Sequence, residues 1–304
     1  MPSIIKRALG HGKGAELLPV PYFHVVFTLP QELNELVIVN REKLFSLLFK
    51  DSADTLKALG KDSKYLGADL GFTSILHTWG QNLMFHPHVH IIVPGCGLTK
   101  TGKWKQSGKK FFIPVKVMAR LFRGKFMSAL KEMRRELQGM ENYERWQKLI
   151  NTLYDKDWYV YCKRPFKTSN SVLEYLGRYT HRIAISNNRI LDIGNSKVSF
   201  KYRDYKDESK EKVMTLTANE FIRRFLLHIL PSKFTKIRHY GFLASIVKAK
   251  KLGLCRELLN LPPQIVKVAI STMELIEMLT GVDVTLCPVC GLLLNRDPPH
   301  QVTA

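Results

Sequence analysis

Residues 85–93 read FHPHVHIIV, and this stretch decides the sheet around which the rest of the chain is arranged. A run this rich in aromatic and β-branched residues predicts a strand. Because successive side chains of a strand point to opposite faces, His88 and His90 share one face and the apolar residues between and after them share the other. Pro87 has no N–H, so we expect regular pairing to begin after it. The pattern indicates two imidazoles on one face of a strand whose other face is buried.

Two histidines on one strand face are typical of a divalent-metal site, because burying them side by side without a ligand is costly. Asp69–Trp79 has a strand pattern too, and a polar turn joins it to the histidine strand, which predicts a hairpin. His77 on this partner strand is the best-placed third ligand, with Gln81 and His86 as weaker candidates. Two alternatives stay open: a histidine-rich strand without metal, and a hydrolase site of the H-x-H-x-D-H kind, although no acidic residue follows the pair.

Further strands and helices are predicted on both sides of this hairpin. The strands are Tyr22–Leu29, Trp158–Lys163, a hairpin of Arg182–Ser186 and Arg189–Ile193 around Asn187-Asn188, and Lys197–Tyr205. Helical spacing covers residues 31–60 and 115–150, and a capping box of Thr217 and Glu220 begins a helix that runs to about Leu230. His24, a lone histidine in the first strand, is more often structural than functional. The class is α+β: a mostly antiparallel sheet with flanking helices, and a mainly helical C-terminal region.

The charge of the chain points to a nucleic-acid partner. Its 304 residues include 47 Lys and Arg against 26 Asp and Glu, a formal net charge of +21 with a pI near 9.8. Basic residues spread over a folded chain favour a polyanion, without distinguishing DNA from RNA or binding from cutting. Five cysteines without framework spacing favour a reducing cytoplasm. The absence of any long apolar run excludes a transmembrane helix and a secretory signal.

A second chemical motif begins at Ser171, which forms a capping box with Glu174 and so predicts a helix start. Tyr175 and Tyr179 follow at i, i+4, and this spacing places both phenols on one helical face. A phenol with a pKa of about 10 is a poor nucleophile unless a metal or base lies nearby. The neighbouring cations that could contact flanking phosphates are Arg178, His181 and Arg182.

Together these residues resemble the HUH superfamily of single-strand DNA endonucleases. His88-Val89-His90 is similar to its His–hydrophobic–His signature, and the segment YLGRY at residues 175–179 is similar to the Y-x-x-x-Y motif of its two-tyrosine transposases. More narrowly, the chain resembles rolling-circle transposases of the insertion-sequence ninety-one type. The match covers roughly residues 16–245, through the blocks ELLPVPYFHVVFTLP, ILHTWGQNL, HPHVHIIVPG, YLGRYTHRIAISNNRI and FTKIRHYGFLA.

The resemblance implies an HUH-like core with the histidine pair on a central strand and the tyrosine helix beside it. It implies Mg²⁺ or Mn²⁺ dependence and cutting of single-stranded DNA at transposon ends and target. One tyrosine would hold the 5′ phosphate while the second serves the partner cleavage. The expected location is the prokaryotic cytoplasm, associated with the nucleoid, with no membrane partner.

Two departures from the family pattern concern zinc. Family members usually carry a cysteine-rich zinc-binding region before the first block, and here residues 1–15 contain no cysteine, so we expect a chain that lacks this region. Near the other end, Cys287 and Cys290 form half of a zinc site; His300 could add a third ligand, and no fourth is evident. A complete zinc site is therefore not expected.

The sequence thus predicts a short remnant at 1–15, an HUH-like nuclease domain at 16–206, and a helical accessory region with the CxxC half-site at 207–304. Other functions remain open: a truncated transposase that binds DNA without cutting it, a metal-dependent phosphohydrolase that uses water, and a related replication initiator or relaxase.

Overall fold

The computed structural model describes residues 17–108, 113–163, 184–204 and 207–262, and the shorter pieces 166, 172, 277, 281–283, 286, 287, 290 and 292. The helices in these residues are α1 (Asn34–Val39), α2 (Arg41–Lys61), α3 (Val115–Glu132), α4 (Tyr143–Asp155), α5 (Ala218–Leu226) and α6 (Lys248–Leu258). The strands are β1 (Tyr22–Thr28), β2 (Asp69–Leu70), β3 (Phe72–Trp79), β4 (Phe85–Pro94), β5 (Cys96–Leu98), β6 (Trp104–Gln106), β7 (Val160–Lys163), β8 (Ile190–Gly194), β9 (Lys197–Asp204), β10 (Lys210–Thr217) and β11 (Ile237–Tyr240).

Five of these strands form the main sheet, in the order β11-β3-β4-β1-β7, and each neighbouring pair is antiparallel. Two smaller antiparallel sheets have the orders β10-β9-β8 and β2-β5-β6. The α+β class with mostly antiparallel sheet is therefore confirmed. The predicted hairpin of β3 and β4 is also present, with a register shift between His77 and Trp79.

Helices cover one face of the main sheet, which we call the core face. Phe23, Val25 and Phe27 of β1 are at most 2% exposed and belong to one apolar cluster with residues of α2, α3 and α4. The Phe27 ring meets the Phe122 ring of α3 edge to face, with centroids 5.0 Å apart. Each fully buried side chain of this size stabilises the fold by roughly 1.5–3 kcal/mol. The opposite face, which we call the site face, carries the histidines.

Single residues divide two of the predicted elements. The first helical stretch is interrupted at Asn40, whose side-chain amide donates to the carbonyls of Leu36 and Gln138, each at 3.0 Å. The strand before the histidine hairpin is divided at Gly71, where a Cβ would lie 2.6 Å from the Phe242 ring. Because of this break, β2 joins a small sheet while β3 stays in the main one.

The hairpin predicted around Asn187-Asn188 is wrong within the described residues. Residues 187–189 form a one-turn 3-10 helix, and β8 pairs with β9 instead. The turn between those strands, Asn195-Ser196, has φ angles of 52° and 56°. Positive φ at both central positions matches the twist of a two-residue hairpin, so this turn is the one that reverses the chain.

Residues 207–262 belong to the same unit as the strands that precede them. The Thr217 cap is confirmed, since its side chain accepts a hydrogen bond from the Glu220 N–H at 3.3 Å, although α5 ends at Leu226 rather than near Leu230. β10 pairs with β9, and β11 adds an edge to the main sheet beside β3. Strands from beyond residue 206 therefore complete sheets that begin before it, and the division of the chain into domains at 206 stays a prediction.

Contacts divide the chain into one unit of residues 18–262 and another of residues 1–17 with 263–304. Every helix and strand named above lies in the first unit. None of the helices in the described part of the chain has the length and apolar character needed to cross a membrane.

Candidate metal centre

Three histidines of the β3–β4 hairpin converge on the site face. His77 of β3 lies directly opposite His88 of β4 in the register, and His90 follows two residues later on the same face. Val89 and Ile91, which alternate with these histidines along β4, are fully buried in the core and so hold His88 and His90 on the site face. The hairpin therefore brings together the three ligands that the sequence predicts.

The ring nitrogens of these three histidines lie within 4.8 Å of one another. Nε2 of His88 and Nε2 of His90 are 3.0 Å apart. The side chains are well shielded, with His77, His88 and His90 at 2%, 8% and 9% exposure. Among the residues that the structure describes, this is the only group of three or more potential metal ligands.

A backbone carbonyl sets the tautomer of His88. Nδ1 of His88 lies 2.6 Å from the carbonyl oxygen of His86, which can only accept, so Nδ1 carries the proton and Nε2 keeps its lone pair. Burial lowers the pKa of His88 to about 3, and the ring is therefore neutral at physiological pH. A neutral imidazole whose second nitrogen donates to a carbonyl is the usual form of a metal-binding histidine.

His90 has a comparable partner on the next strand. Its Nδ1 lies 2.8 Å from Nε2 of His24 on β1, and the two rings are stacked with centroids 5.1 Å apart. Both Nε2 atoms of the His88–His90 pair can then present lone pairs to a common point. Two nitrogen lone pairs 3.0 Å apart require a proton or a cation between them, and His77 supplies a third donor on the same side. The donor set therefore fits a divalent metal.

Aromatic and cationic groups extend the site on the β3 side. The Trp79 ring stacks on His77 with centroids 4.5 Å apart, and Nζ of Lys236 lies 5.2 Å from the Trp79 centroid. Burial lowers the pKa of the Lys236 ammonium. The Trp79 ring therefore covers one face of the His77 imidazole.

Sequence reasoning did not assign His24, Trp79 or Lys236 to the site. The i, i+2 spacing of Trp79 from His77 could have indicated that these two rings lie side by side. The positions of His24 and Lys236 depend on which strands become neighbours, and no local pattern reports this. Of the weaker third-ligand candidates, His86 is exposed and contributes its carbonyl, and the backbone carbonyl of Gln81 accepts from Arg189.

The remaining predicted residues lie mostly outside the described part of the chain. This holds for the two tyrosines, the cap that precedes them and the three flanking cations: Ser171, Glu174, Tyr175, Arg178, Tyr179, His181 and Arg182. It also holds for His300. Cys287 is half-buried and Cys290 is exposed, and the Cys287 N–H donates to the carbonyl of Leu292 at 2.8 Å. The zinc half-site stays a prediction.

One protein family and two proteins with similar sequences carry transposase names. The family Y2_Tnp, described as "Putative transposase", matches residues 71–251. "Putative transposase y4qJ" of Sinorhizobium fredii (strain NBRC 101917 / NGR234) is 41% identical over 288 residues, which is 91% of this chain and 72% of that protein. "Transposase for insertion sequence element IS801" of Pseudomonas savastanoi pv. phaseolicola is 31% identical over 278 residues, which is 89% of this chain and 66% of that protein.

One solved structure overlaps with the fold at a low level. It is TrwC complexed with a 27-mer DNA comprising the recognition hairpin and the cleavage site. The overlap covers 77% of this chain and 73% of that one, with a TM-score of 0.29 and 8% identity. Similarity to known proteins therefore rests on the sequence relatives.

Proposed function

Because this chain belongs to the Y2_Tnp family of transposases, we propose that it nicks single-stranded DNA and transfers the strand through a covalent phosphotyrosine. The observation that carries the proposal is the group of three buried imidazoles on the site face of the hairpin, with ring nitrogens within 4.8 Å of one another. Neutral, pre-oriented donors of this kind suit a divalent metal at a phosphodiester.

In this proposal His77, His88 and His90 hold the metal. The bound ion would polarise the scissile phosphate and neutralise the charge that develops on its oxygens. If His90 held the metal through Nε2, its Nδ1–H would donate to Nε2 of His24, much as Nδ1–H of His88 donates to the His86 carbonyl. Imidazole donors suit transition metals and Mg²⁺ prefers oxygen ligands, so the donor set favours Mn²⁺ over Mg²⁺.

The nucleophile would be Tyr175 or Tyr179. Its phenolic oxygen forms a bond to phosphorus, the bond from phosphorus to the 3′ oxygen breaks, and the phenolic proton ends on the freed 3′-hydroxyl. One phosphoester replaces another, so the later joining step needs no ATP. The second tyrosine would accept the partner strand in the same way.

The DNA partner would be single-stranded DNA at transposon ends and target. A net charge of +21 supports salt-dependent binding to phosphates along the chain. Arg178, His181 and Arg182, which follow the tyrosines in sequence, are the proposed phosphate contacts beside the cleavage position. Such a protein would work in the prokaryotic cytoplasm at the nucleoid.

A denaturing-gel assay with labelled single-stranded DNA that carries the element end tests the proposal. We expect wild type with Mn²⁺ to give a protease-sensitive DNA–protein adduct, and EDTA or His88→Ala to remove it. Single Tyr175→Phe and Tyr179→Phe variants should keep part of the adduct, and the double variant should form none.

The double tyrosine variant separates the alternatives. Cleavage without an adduct in that variant would identify water as the nucleophile and contradict the phosphotyrosine step. Binding without cleavage in wild type would identify a DNA-binding derivative. His86→Ala is the matched control, because this exposed histidine on the same strand hydrogen-bonds His88 through its backbone carbonyl, which the substitution keeps, although its ring also lies 5.1 Å from the His88 ring.

A further inference from the structure

We propose that Tyr159 and Tyr161, at the β7 edge of the main sheet, stack on unpaired bases of the single-stranded DNA that reaches the histidines. The proposal deepens the proposed function and rests on it for the identity of the ligand. We call these two side chains the tyrosine platform.

Strand register places the platform on the site face. Tyr161 lies opposite Val26 of β1, which in turn lies opposite His90 of β4. Tyr159 continues the same pairing, since its carbonyl accepts from the Thr28 N–H at 3.2 Å and Thr28 lies opposite His88. Residues opposite each other in adjacent strands share a face, so both tyrosines lie in line with the metal-ligand candidates.

The separation suits neighbouring nucleotides. Two strand spacings divide β7 from β4, which is on the order of 10 Å. The space between is bridged by His24, whose ring lies 6.5 Å from the Tyr161 ring in an edge-to-face arrangement and which bonds His90 at 2.8 Å. A strand with one phosphate at the histidines would therefore carry adjacent bases over the platform.

Exposure changes sharply along this face. The three histidines are at most 9% exposed, whereas Tyr161 is 50% and Tyr159 is 75% exposed. The residue between the tyrosines, Val160, is 7% exposed and packs in the core, so it anchors the segment from behind. Tyr161 is thus presented to solvent from β7, and Tyr159 from the residue that directly precedes this strand.

Other exposed tyrosines in the described part of the chain are already engaged. The Tyr143 ring is covered by the Arg134 guanidinium at 5.1 Å, and the Tyr154 ring by Nζ of Lys131 at 4.6 Å. Neither phenol of the platform makes a hydrogen bond within the residues that the structure describes. Tyr159 is mostly exposed and Tyr161 is half exposed, with His24 beside it, and exposed aromatic faces on a sheet are a recurring means of holding single-stranded nucleic acid.

The chemistry of the ligand follows from these surroundings. Stacking on an open ring needs a base that is not paired in a duplex, and the polyanionic backbone is attracted by the net charge of +21. Because every base has an aromatic face, the platform would be tolerant of sequence. The platform would add affinity for single-stranded DNA and position the strand, and it would not select the DNA sequence.

The test is binding of fluorescein-labelled oligodeoxythymidine, followed by anisotropy in EDTA so that no cleavage occurs. We expect Tyr159→Ala and Tyr161→Ala each to weaken binding about 5- to 150-fold, the range for loss of one stacked base. Tyr159→Phe and Tyr161→Phe should bind within about twofold of wild type, because the ring is kept. Tyr143→Ala and Tyr154→Ala, on comparably exposed tyrosines, are the matched controls and should bind as wild type does.

Photocrosslinking of wild type keeps the proposal testable even where a variant folds poorly. Oligodeoxythymidine with single 5-iodouracil substitutions should crosslink to the peptide that contains Tyr159 and Tyr161. Unchanged affinity in the double alanine variant, equal losses in the alanine and phenylalanine variants, or crosslinks confined to other peptides would each overturn it. Since binding is measured in EDTA, its outcome is independent of the adduct assay, and failure of either proposal can be recognised separately.

Discussion

The two faces of the main sheet are built from the same strands but differ in their side chains and in how they are covered. In β1, Phe23, Val25 and Phe27 point to the core face, and His24 and the residues that alternate with it point to the site face. One face is apolar, continuous and covered by α2 and α3. The other runs from three clustered imidazoles to an open tyrosine edge. Period-two alternation thus separates residues that stabilise the fold from residues that form the site, so substitutions at neighbouring positions should affect different properties of the protein.

The largest expected effect is on the core face. Phe27→Ala removes a fully buried ring that packs on Phe122, and we expect the free energy of unfolding to fall by about 3–5 kcal/mol. Val26→Ala, one residue away on the site face and half-buried, should cost about 1 kcal/mol or less. Urea unfolding followed by circular dichroism measures both. Equal losses of unfolding free energy in the two variants would contradict this difference between the core face and the site face.

Acid should destabilise the protein through buried neutral histidines. Burial lowers the pKa of His228 to about 4 and the pKa of His88 to about 3. Nε2 of His228 lies 3.0 Å from the Leu83 carbonyl oxygen. In the unfolded chain a histidine takes up its proton near pH 6.5, so the unfolded state binds more protons below that pH. Each group should therefore lower the free energy of unfolding by up to about 1.4 kcal/mol per pH unit as the pH falls from 6.5 toward 4.

Urea titrations in EDTA at pH 7, 6 and 5 measure this slope, and His228→Gln isolates one contribution. The variant should lose stability less steeply than wild type between pH 6.5 and 5. Parallel slopes would show that the His228 ring is already protonated or solvated in the folded protein.

A smaller effect is expected for substitutions of His24, which contacts the metal-ligand candidate His90 and would not contact the metal itself. His24→Ala removes the partner of His90 Nδ1 and should weaken Mn²⁺ binding about 10- to 100-fold, the range for loss of a hydrogen bond to a metal-bound histidine. His24→Asn, which keeps an acceptor, should recover part of the loss. Isothermal titration calorimetry gives the dissociation constants. An unchanged constant in His24→Ala would leave His24 as a packing residue.

Local features of the site could be predicted from sequence because they depend on neighbours in the chain. Alternation gives the shared face of His88 and His90, and a short turn brings His77 opposite them. The resemblance to rolling-circle transposases, read from ordered blocks of sequence, is likewise confirmed by the family match.

Features that depend on strand order could not be predicted. His24 contacts His90 across 66 positions, and β11 reaches the sheet edge from beyond the expected boundary at residue 206. The same reason explains the hairpin error at Asn187-Asn188, since the sequence signals a turn but not which strand pairs across it. The tyrosine platform could not be predicted either, because the face of the sheet on which Tyr161 lies depends on the pairing of β7 with β1.

Counting bound Mn²⁺ by the loss of its free electron paramagnetic resonance signal tests the histidine centre most directly. Wild type and His86→Ala should each bind one ion per chain at this centre, and His88→Ala should bind none there while keeping its fold by circular dichroism. Equal binding by His88→Ala and wild type would contradict a metal centre on the site face.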